Sequence, residues 1–165
     1  GDKPYSQEHS AVNNAVLAFF TFGEGYHNYH HTFPSDYRNG VRWYQYDPTK
    51  ILIWILSKIG VAQKLIKIEM PLIKQKMIEE DERRVLEKIK MLGQKKWKEA
   101  EIQVKKITES LNNKLMEKYK LLLAYKTKKK EQRKKIKNQL KRLSQSIKID
   151  YKIWVKICSR ILTKT

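Results

Sequence analysis

Three of the chain's four histidines crowd into five positions near the amino terminus, at His27, His30 and His31. Neutral imidazole is the commonest protein side chain that binds transition metals. Because residues at i, i+3 and i+4 share one face of a helix, this spacing lets all three rings approach one metal ion. Exposed or hydrogen-bonded histidines without a metal are the alternative. The clustering favours a metal site.

Such a site needs more than the three imidazoles. A histidine that binds metal through one ring nitrogen needs a hydrogen-bond acceptor for the N–H of the other nitrogen. Glu24, Asn28 and Asp36 are near enough in the sequence to accept that bond, although Glu24 and Asn28 are equally well explained as ordinary polar helix residues. His9 stands apart in a loop, where we expect a solvated side chain. A closed site takes at least four donors, so we expect further ligands from elsewhere.

Local patterns predict the helices that position these residues. Ser10 is a suitable cap for a helix that runs into the histidines, weakened but not ended at Gly23 and Gly25, and Pro34 ends it. Asp47-Pro48 is typical of the start of another helix. Apolar residues cover nearly every side of that second helix, which indicates burial in something larger or in a membrane interface.

The charge is distributed unevenly. Residues 1–70 carry seven Lys/Arg against six Asp/Glu, whereas residues 71–165 carry 29 against 11. We therefore expect two units, 1–70 and 71–165. In the second, apolar residues recur at intervals of three and four on both sides of a weak point at Gly93, which predicts long amphipathic helices in a hairpin or coiled coil. The end, Ile147–Ile161, fits a helix or a strand, and we favour the helix. The predicted fold is all-α.

The basic segment Lys126–Arg142 holds ten basic residues against one acidic residue. It is interpreted as a solvated helical extension, as a module that binds anionic lipid surfaces, or as a nucleic-acid site. The lack of zinc-finger spacing, a Gly-rich phosphate loop or an RNA-stacking motif argues against nucleic acid. The single Cys158 excludes an internal disulfide and is expected to be a packing residue.

Membrane and targeting signals are sparse in this sequence. The first ten residues are polar and do not resemble a signal peptide. No apolar run reaches the roughly 18 to 20 residues of a spanning helix. The lack of an initiator Met suggests that the chain begins inside a larger protein.

The histidines lie in a longer recognisable run, GEGYHNYHHTFPSDYRNG, from Gly23 to Gly40. This run resembles the last histidine box of the membrane fatty acyl desaturases, in the acyl-CoA delta-9 (stearoyl-CoA) branch. The motifs DKPY at 2–5 and DPTK at 47–50 are similar to the carboxyl-terminal third of that family. The resemblance covers about residues 1–68, and the tail from about residue 71 resembles no family that we can name.

The resemblance implies a multi-span membrane enzyme with two irons held by histidines from several boxes. Such enzymes use dioxygen and two electrons to remove two hydrogens from an acyl chain, leaving a cis double bond. His27, His30 and His31 match the iron ligands of the third box, and Glu24 and Asn28 match other positions of the motif. The other histidine boxes and the spanning helices are absent here, so we expect no turnover by this chain alone.

The implied partners follow from the same resemblance. They are a fatty acyl-CoA or acyl-lipid substrate, membrane lipids, and an electron donor of the cytochrome b5 or ferredoxin type, with this part on the cytosolic side. A membrane fatty acid hydroxylase is the alternative within the same chemistry, although the turn from Phe33 to Arg38 favours the desaturase.

Several side chains beyond the histidine run are candidates for contact with a membrane or a partner. Arg38, Arg42 and Lys50 could face an anionic headgroup or an acidic electron donor, or could be surface charges without partners. Four aromatic residues fit either a membrane-interface belt or the core of a cap domain. These are Trp43, Tyr44, Tyr46 and Trp54.

Overall fold

The computed structural model describes residues 1–92 and 97–163, and these form helices and loops with no strand. The predicted all-α fold is confirmed. The helices are α1 (Ala15–Phe20), α2 (His27–Thr32), α3 (Pro48–Lys58), α4 (Met70–Leu92), α5 (Trp97–Thr127) and α6 (Lys130–Leu162). The weak point predicted at Gly93 lies outside the described residues. The chain divides into two compact units, Gly1–Glu69 and Met70–Thr165.

The amino-terminal region contains two short helices, where the sequence predicted one long helix capped by Ser10. That prediction is wrong. Asn14, not Ser10, caps α1, and its side chain accepts hydrogen bonds from the backbone N–H groups of Val16 and Leu17. Helix α1 ends at Phe20, and six residues separate it from His27, where α2 begins. The histidines therefore occupy a separate helix of six residues.

The break between α1 and α2 comes from the backbone around Gly23. Phe22 and Gly23 adopt positive φ angles of 53° and 105°, which cannot continue a right-handed helix. The chain then returns against α1, because the N–H of Asn14 donates to the carbonyl of Gly25 at 2.8 Å. A Cβ at Gly25 would lie 2.1 Å from the backbone nitrogen of Ala18, so only glycine permits this approach.

Helix α3 begins as predicted. The side chain of Asp47 accepts a hydrogen bond from the N–H of Lys50, and Pro48 occupies the first helical position. None of its residues is buried, although most of them are apolar. Large apolar side chains exposed across the first unit include Phe19, Phe20, Trp43, Ile51, Leu52, Trp54, Ile55 and Ile59. Among the described residues, no helix combines the length and the apolar character that a membrane span requires.

The second unit is built from α4, α5 and α6, each of which contacts the other two. Its core comes from the predicted periodic positions, including Val85 on α4, Leu111 on α5 and Ile161 on α6. The predicted long amphipathic helices are thus confirmed. Burial of these stripes holds the three helices together, since isolated helices gain little stability from propensity alone.

Helices α5 and α6 form an antiparallel hairpin joined by residues 128–129. The indole N–H of Trp154 donates to the hydroxyl of Thr108 at 3.0 Å, and Lys114 forms an ion pair with Asp150 at 2.6 Å. The ambiguous end of the chain is therefore helical, as favoured. Burial raises the pKa of the Cys158 thiol to about 12, consistent with a packing residue.

The basic segment at the start of α6 contributes no buried residue, since the first buried residue of that helix is Ile147. Ile136 and Leu140 are half-buried, whereas all ten lysines and arginines of the segment are exposed. Most of its positive charge therefore faces solvent.

We expect replacement of Leu111 with alanine to lower the free energy of unfolding of the second unit by about 2–5 kcal/mol, because the fully buried side chain would leave a cavity. Ile102→Ala is the matched control on the same helix. Ile102 is 65% exposed, so its loss should cost no more than about 0.5 kcal/mol. Urea unfolding of the full chain, followed by circular dichroism, measures both values. Equal losses would contradict the assignment of Leu111 to the core.

Candidate metal centre

Helix α2 presents the histidines on one face and is anchored through the other. The side-chain oxygen of Asn13 accepts hydrogen bonds from the N–H groups of Asn28 and Tyr29, at 3.0 and 3.3 Å. These bonds satisfy donors at the start of the helix that have no partner within it. Tyr29 is buried and packs against Tyr5 and Phe33, with ring centroids 5.2 and 5.1 Å away. The anchored face fixes the direction in which the histidines project.

The three histidine rings lie together, as their spacing on the helix predicts. The ring centroid of His27 is 4.5 Å from that of His31 and 6.2 Å from that of His30. The rings of His30 and His31 are 5.8 Å apart. His27 and His31 are exposed and His30 is half-buried. Two of the three rings are thus open to an approaching group.

His27 already has the orientation that a metal ligand needs. Its Nδ1 lies 3.2 Å from the backbone carbonyl of Glu24. Because a carbonyl oxygen only accepts, this hydrogen bond places the proton of the neutral ring on Nδ1 and leaves Nε2 able to bind a metal. The predicted residue Glu24 therefore supports His27, but through its backbone oxygen.

The side chains proposed to orient the histidines make other bonds in this structure. The carboxylate of Glu24 accepts from the side-chain amide of Asn39 at 3.1 Å. The buried amide of Asn28 donates to the carbonyl of Ser6 at 2.7 Å. The buried carboxylate of Asp36 pairs with Arg38 at 2.6 Å. These bonds hold the loops around α2.

The surroundings of His31 favour its neutral form. Desolvation lowers the pKa of His31, and the charges that its neighbours His27, His9 and His30 would carry when protonated lower it further. A lowered pKa favours the neutral ring, which is the form in which imidazole binds a metal.

The residues present suit a metal such as iron, although they do not form a complete site. Across residues 1–92 and 97–163, no three His, Cys, Asp or Glu side chains already stand close enough together to hold a metal ion. Two observations indicate that the imidazoles are available: Nδ1 of His27 faces the carbonyl of Glu24, and Nδ1 of His30 is buried without a hydrogen-bond partner. Buried polar atoms normally have partners, so an unpaired imidazole nitrogen fits a ligand role.

His9 lies next to the cluster, and the prediction of a solvated loop side chain is wrong. Its ring centroid is 5.4 Å from that of His31, and both of its ring nitrogens are buried without a hydrogen-bond partner. The local sequence around His9 gives no sign of this, because the proximity depends on how the amino-terminal loop folds onto α2.

The three predicted cationic side chains have different settings. The guanidinium of Arg38 is buried and pairs with Asp36, so little of it is open to an external group. The ammonium of Lys50 donates to the carbonyl of Gly40 at 2.9 Å. Arg42 is exposed and lies over the ring of Tyr44, 5.8 Å from its centroid. The structure does not bring these three cations together at one point.

The segment that contains the histidine helix is similar to known proteins. The sequence model of the fatty acid desaturase family matches residues 1–62, the segment that contains the histidine helix. The resemblance to desaturases is confirmed. The chain is 42% identical over 88 residues to acyl-CoA desaturase 1 of Saccharomyces cerevisiae, which covers 53% of the chain and 17% of the relative.

Two further relatives are also named as desaturases. The chain is 57% identical over 65 residues to a probable acyl-CoA desaturase of Schizosaccharomyces pombe, covering 39% of the chain and 14% of the relative. It is 36% identical over 73 residues to stearoyl-CoA desaturase 5 of Homo sapiens, covering 44% of the chain and 22% of the relative. The chain thus spans less than a quarter of the length of each of these desaturases. No solved structure shows a significant match.

Proposed function

We propose that residues 1–69 are the carboxyl-terminal, iron-binding part of a membrane fatty acyl desaturase. The observation that carries this proposal is the histidine face of α2, with the ring of His27 oriented by Glu24, inside the segment that matches the desaturase family. Spacing, tautomer and family resemblance all support the same role for these side chains.

In this proposal His27, His30 and His31 hold iron together with histidines from the other boxes of the complete enzyme. Iron in such a site supplies the activation of dioxygen with which two hydrogens are removed from an acyl chain. The residues of this chain have a positioning task. The carbonyl of Glu24 fixes the ring of His27, while Asn28 and Asp36 hold the loops that keep α2 in place.

The exposed apolar residues of α3 and of the aromatic segment before it fit the same proposal. Trp43 is 93% exposed, and α3 buries none of its own residues. A surface of this kind normally faces a partner or a membrane. We assign it to contact with the membrane part of the enzyme and with lipid, on the cytosolic side.

The substrate and the electron supply belong to the complete enzyme. We propose a fatty acyl-CoA or acyl-lipid substrate, two irons, and an electron donor protein of the cytochrome b5 or ferredoxin type. Arg42 and Lys50 are the cations best placed to meet an acidic donor or a lipid headgroup, since Arg38 is buried. The chain alone lacks the other boxes, so turnover should require them.

A chimaera tests this function. The whole 165-residue chain is joined in place of the matching segment of the Schizosaccharomyces pombe relative, and the product is expressed in a yeast strain that lacks its own acyl desaturase. We expect cis-monounsaturated fatty acids to accumulate, measured by gas chromatography, because this segment would complete the iron site. The unaltered relative is the positive control.

Two outcomes separate the alternatives. A hydroxylated fatty acid in place of the double bond would favour the hydroxylase chemistry. A chimaera that is made and inserted into membranes as well as the control, yet forms neither product, would contradict the proposal.

A further inference from the structure

The loop that carries His9 is fixed onto the histidine helix. The buried side chain of Asn28 accepts from the N–H of Tyr5 at 2.9 Å and donates to the carbonyls of Ser6 and Ala11 at 2.7 and 3.0 Å. These bonds bracket His9 on both sides of the sequence. The position of His9 beside α2 is therefore set by specific contacts within the first unit.

His9 is half-buried, and its two ring nitrogens, Nδ1 and Nε2, are buried without a hydrogen bond. The neighbouring cation does not supply one, because the ammonium of Lys3 bonds to the backbone carbonyl of His9. Buried imidazole nitrogens normally take part in a hydrogen bond or bind a metal. Because the nitrogens of His9 have no hydrogen bond, they are available to bind a metal.

A metal ion fits the spacing between His9 and His31. Their ring centroids are 5.4 Å apart, and His31 lies 4.5 Å from His27 on the same face of α2. Two imidazoles that bind one metal at about 2.0–2.1 Å through adjacent coordination positions have ring centroids about 5 Å apart. The three rings thus form a row contributed by two separate segments of the chain.

We propose that His9 is a fourth imidazole of the cluster and binds the same metal ion as His31. This rests on the proposed role of His31 as a metal ligand. It extends the ligand set to a residue outside the HxxHH run, supplied by a loop and not by a helix. The hydrogen bonds from Asn28 to Ser6 and Ala11 would then serve to hold His9 beside the other histidines.

Zinc titration of the full chain tests the inference without any turnover. Isothermal titration calorimetry with Zn²⁺ at pH 7.5 compares the unaltered chain with His9→Ala and His31→Ala, and with His9→Ala in the His31→Ala background. We expect His9→Ala to weaken Zn²⁺ binding at least about tenfold in the unaltered chain, and by a clearly smaller factor once His31 is gone. Gln7→Ala, an exposed residue of the same loop, is the control and should bind as the unaltered chain does.

The two proposals fail in different ways. If His31→Ala weakens binding but His9→Ala does not, His9 is no ligand and the proposed metal role of His31 stands. If His31→Ala itself leaves Zn²⁺ binding unchanged, the metal role of the cluster fails as well. Equal weakening by His9→Ala in both backgrounds would indicate a structural effect of the loop and would overturn the inference.

Discussion

Changing His27, His30 or His31 to alanine in the chimaera should lower the yield of cis double bonds at least about 100-fold. Loss of a residue that only supports a metal ligand typically costs 10- to 100-fold, and loss of the ligand itself should cost no less. The three rings lie together on α2, so each removal would take one donor from the proposed iron centre. Gas chromatography of total fatty acids gives the yield.

Thr32→Ala is the matched control for these variants. Thr32 lies on the same helix, and its hydroxyl donates to the carbonyl of Asn28 one turn earlier. The control should leave the yield close to that of the unaltered chimaera. A histidine variant that is made normally and keeps the full yield would remove that histidine from the ligand set.

Replacing Asp36 with alanine should destabilise the first unit by about 3–5 kcal/mol, the usual cost of breaking a buried ion pair by removing one partner. The carboxylate accepts from the hydroxyl of Tyr29 at 2.7 Å, from the guanidinium of Arg38 at 2.6 Å and from the N–H of Ile68 at 2.8 Å. Its loss leaves the buried Arg38 charge without its carboxylate. Hydrogen exchange of residues 29–39 in the full chain, read by mass spectrometry, should show the loss of protection.

The control for Asp36 is the double variant. Asp36→Ala with Arg38→Ala removes both charges and should recover part of the lost stability. Arg38→Ala alone should cost less than Asp36→Ala, because Tyr29 and Ile68 still donate to the carboxylate. Equal losses for all three variants would contradict a central role of the carboxylate.

We expect the Asp36 carboxylate to make the stability of the first unit depend on pH in the acid range. Burial alone would raise the pKa of Asp36, but hydrogen bonds from Arg38, Tyr29 and the backbone of Ile68 outweigh it and lower the pKa below its usual value. A lowered pKa in the folded state gives stability that is present above the unfolded value of about 3.9 and is lost as the pH falls through the folded value. Asp36→Ala should remove this part of the acid dependence.

The sequence predicted those features of the fold that depend only on neighbouring residues, such as the start of a helix and its buried face. Asp47-Pro48 started α3 as expected, because a cap and a proline act on the residues next to them. Apolar residues at intervals of three and four after residue 70 predicted amphipathic helices, and their apolar faces form one core. Helical periodicity decides which face of a helix is buried. The histidine spacing likewise brought the three rings to one face of a helix.

Contacts between distant residues decided the rest. The break before α2 depends on the approach of Gly25 to the backbone of Ala18, and nothing in the neighbouring sequence shows it. His9 reaches His31 because the side chain of Asn28 clamps a loop that lies some twenty residues earlier. Asp36 meets the backbone of Ile68 across 32 positions of sequence. Periodicity and capping carry no information about such pairs.

The iron content of the chimaera shows whether the histidine face of α2 binds metal. The chimaera and its variant with His27, His30 and His31 all changed to alanine are purified from membranes, and iron per polypeptide is measured by mass spectrometry. If the histidine face of α2 binds iron, the variant should be made and inserted normally but contain markedly less iron than the unaltered chimaera. The same iron content in both proteins would show that these three histidines do not bind the iron.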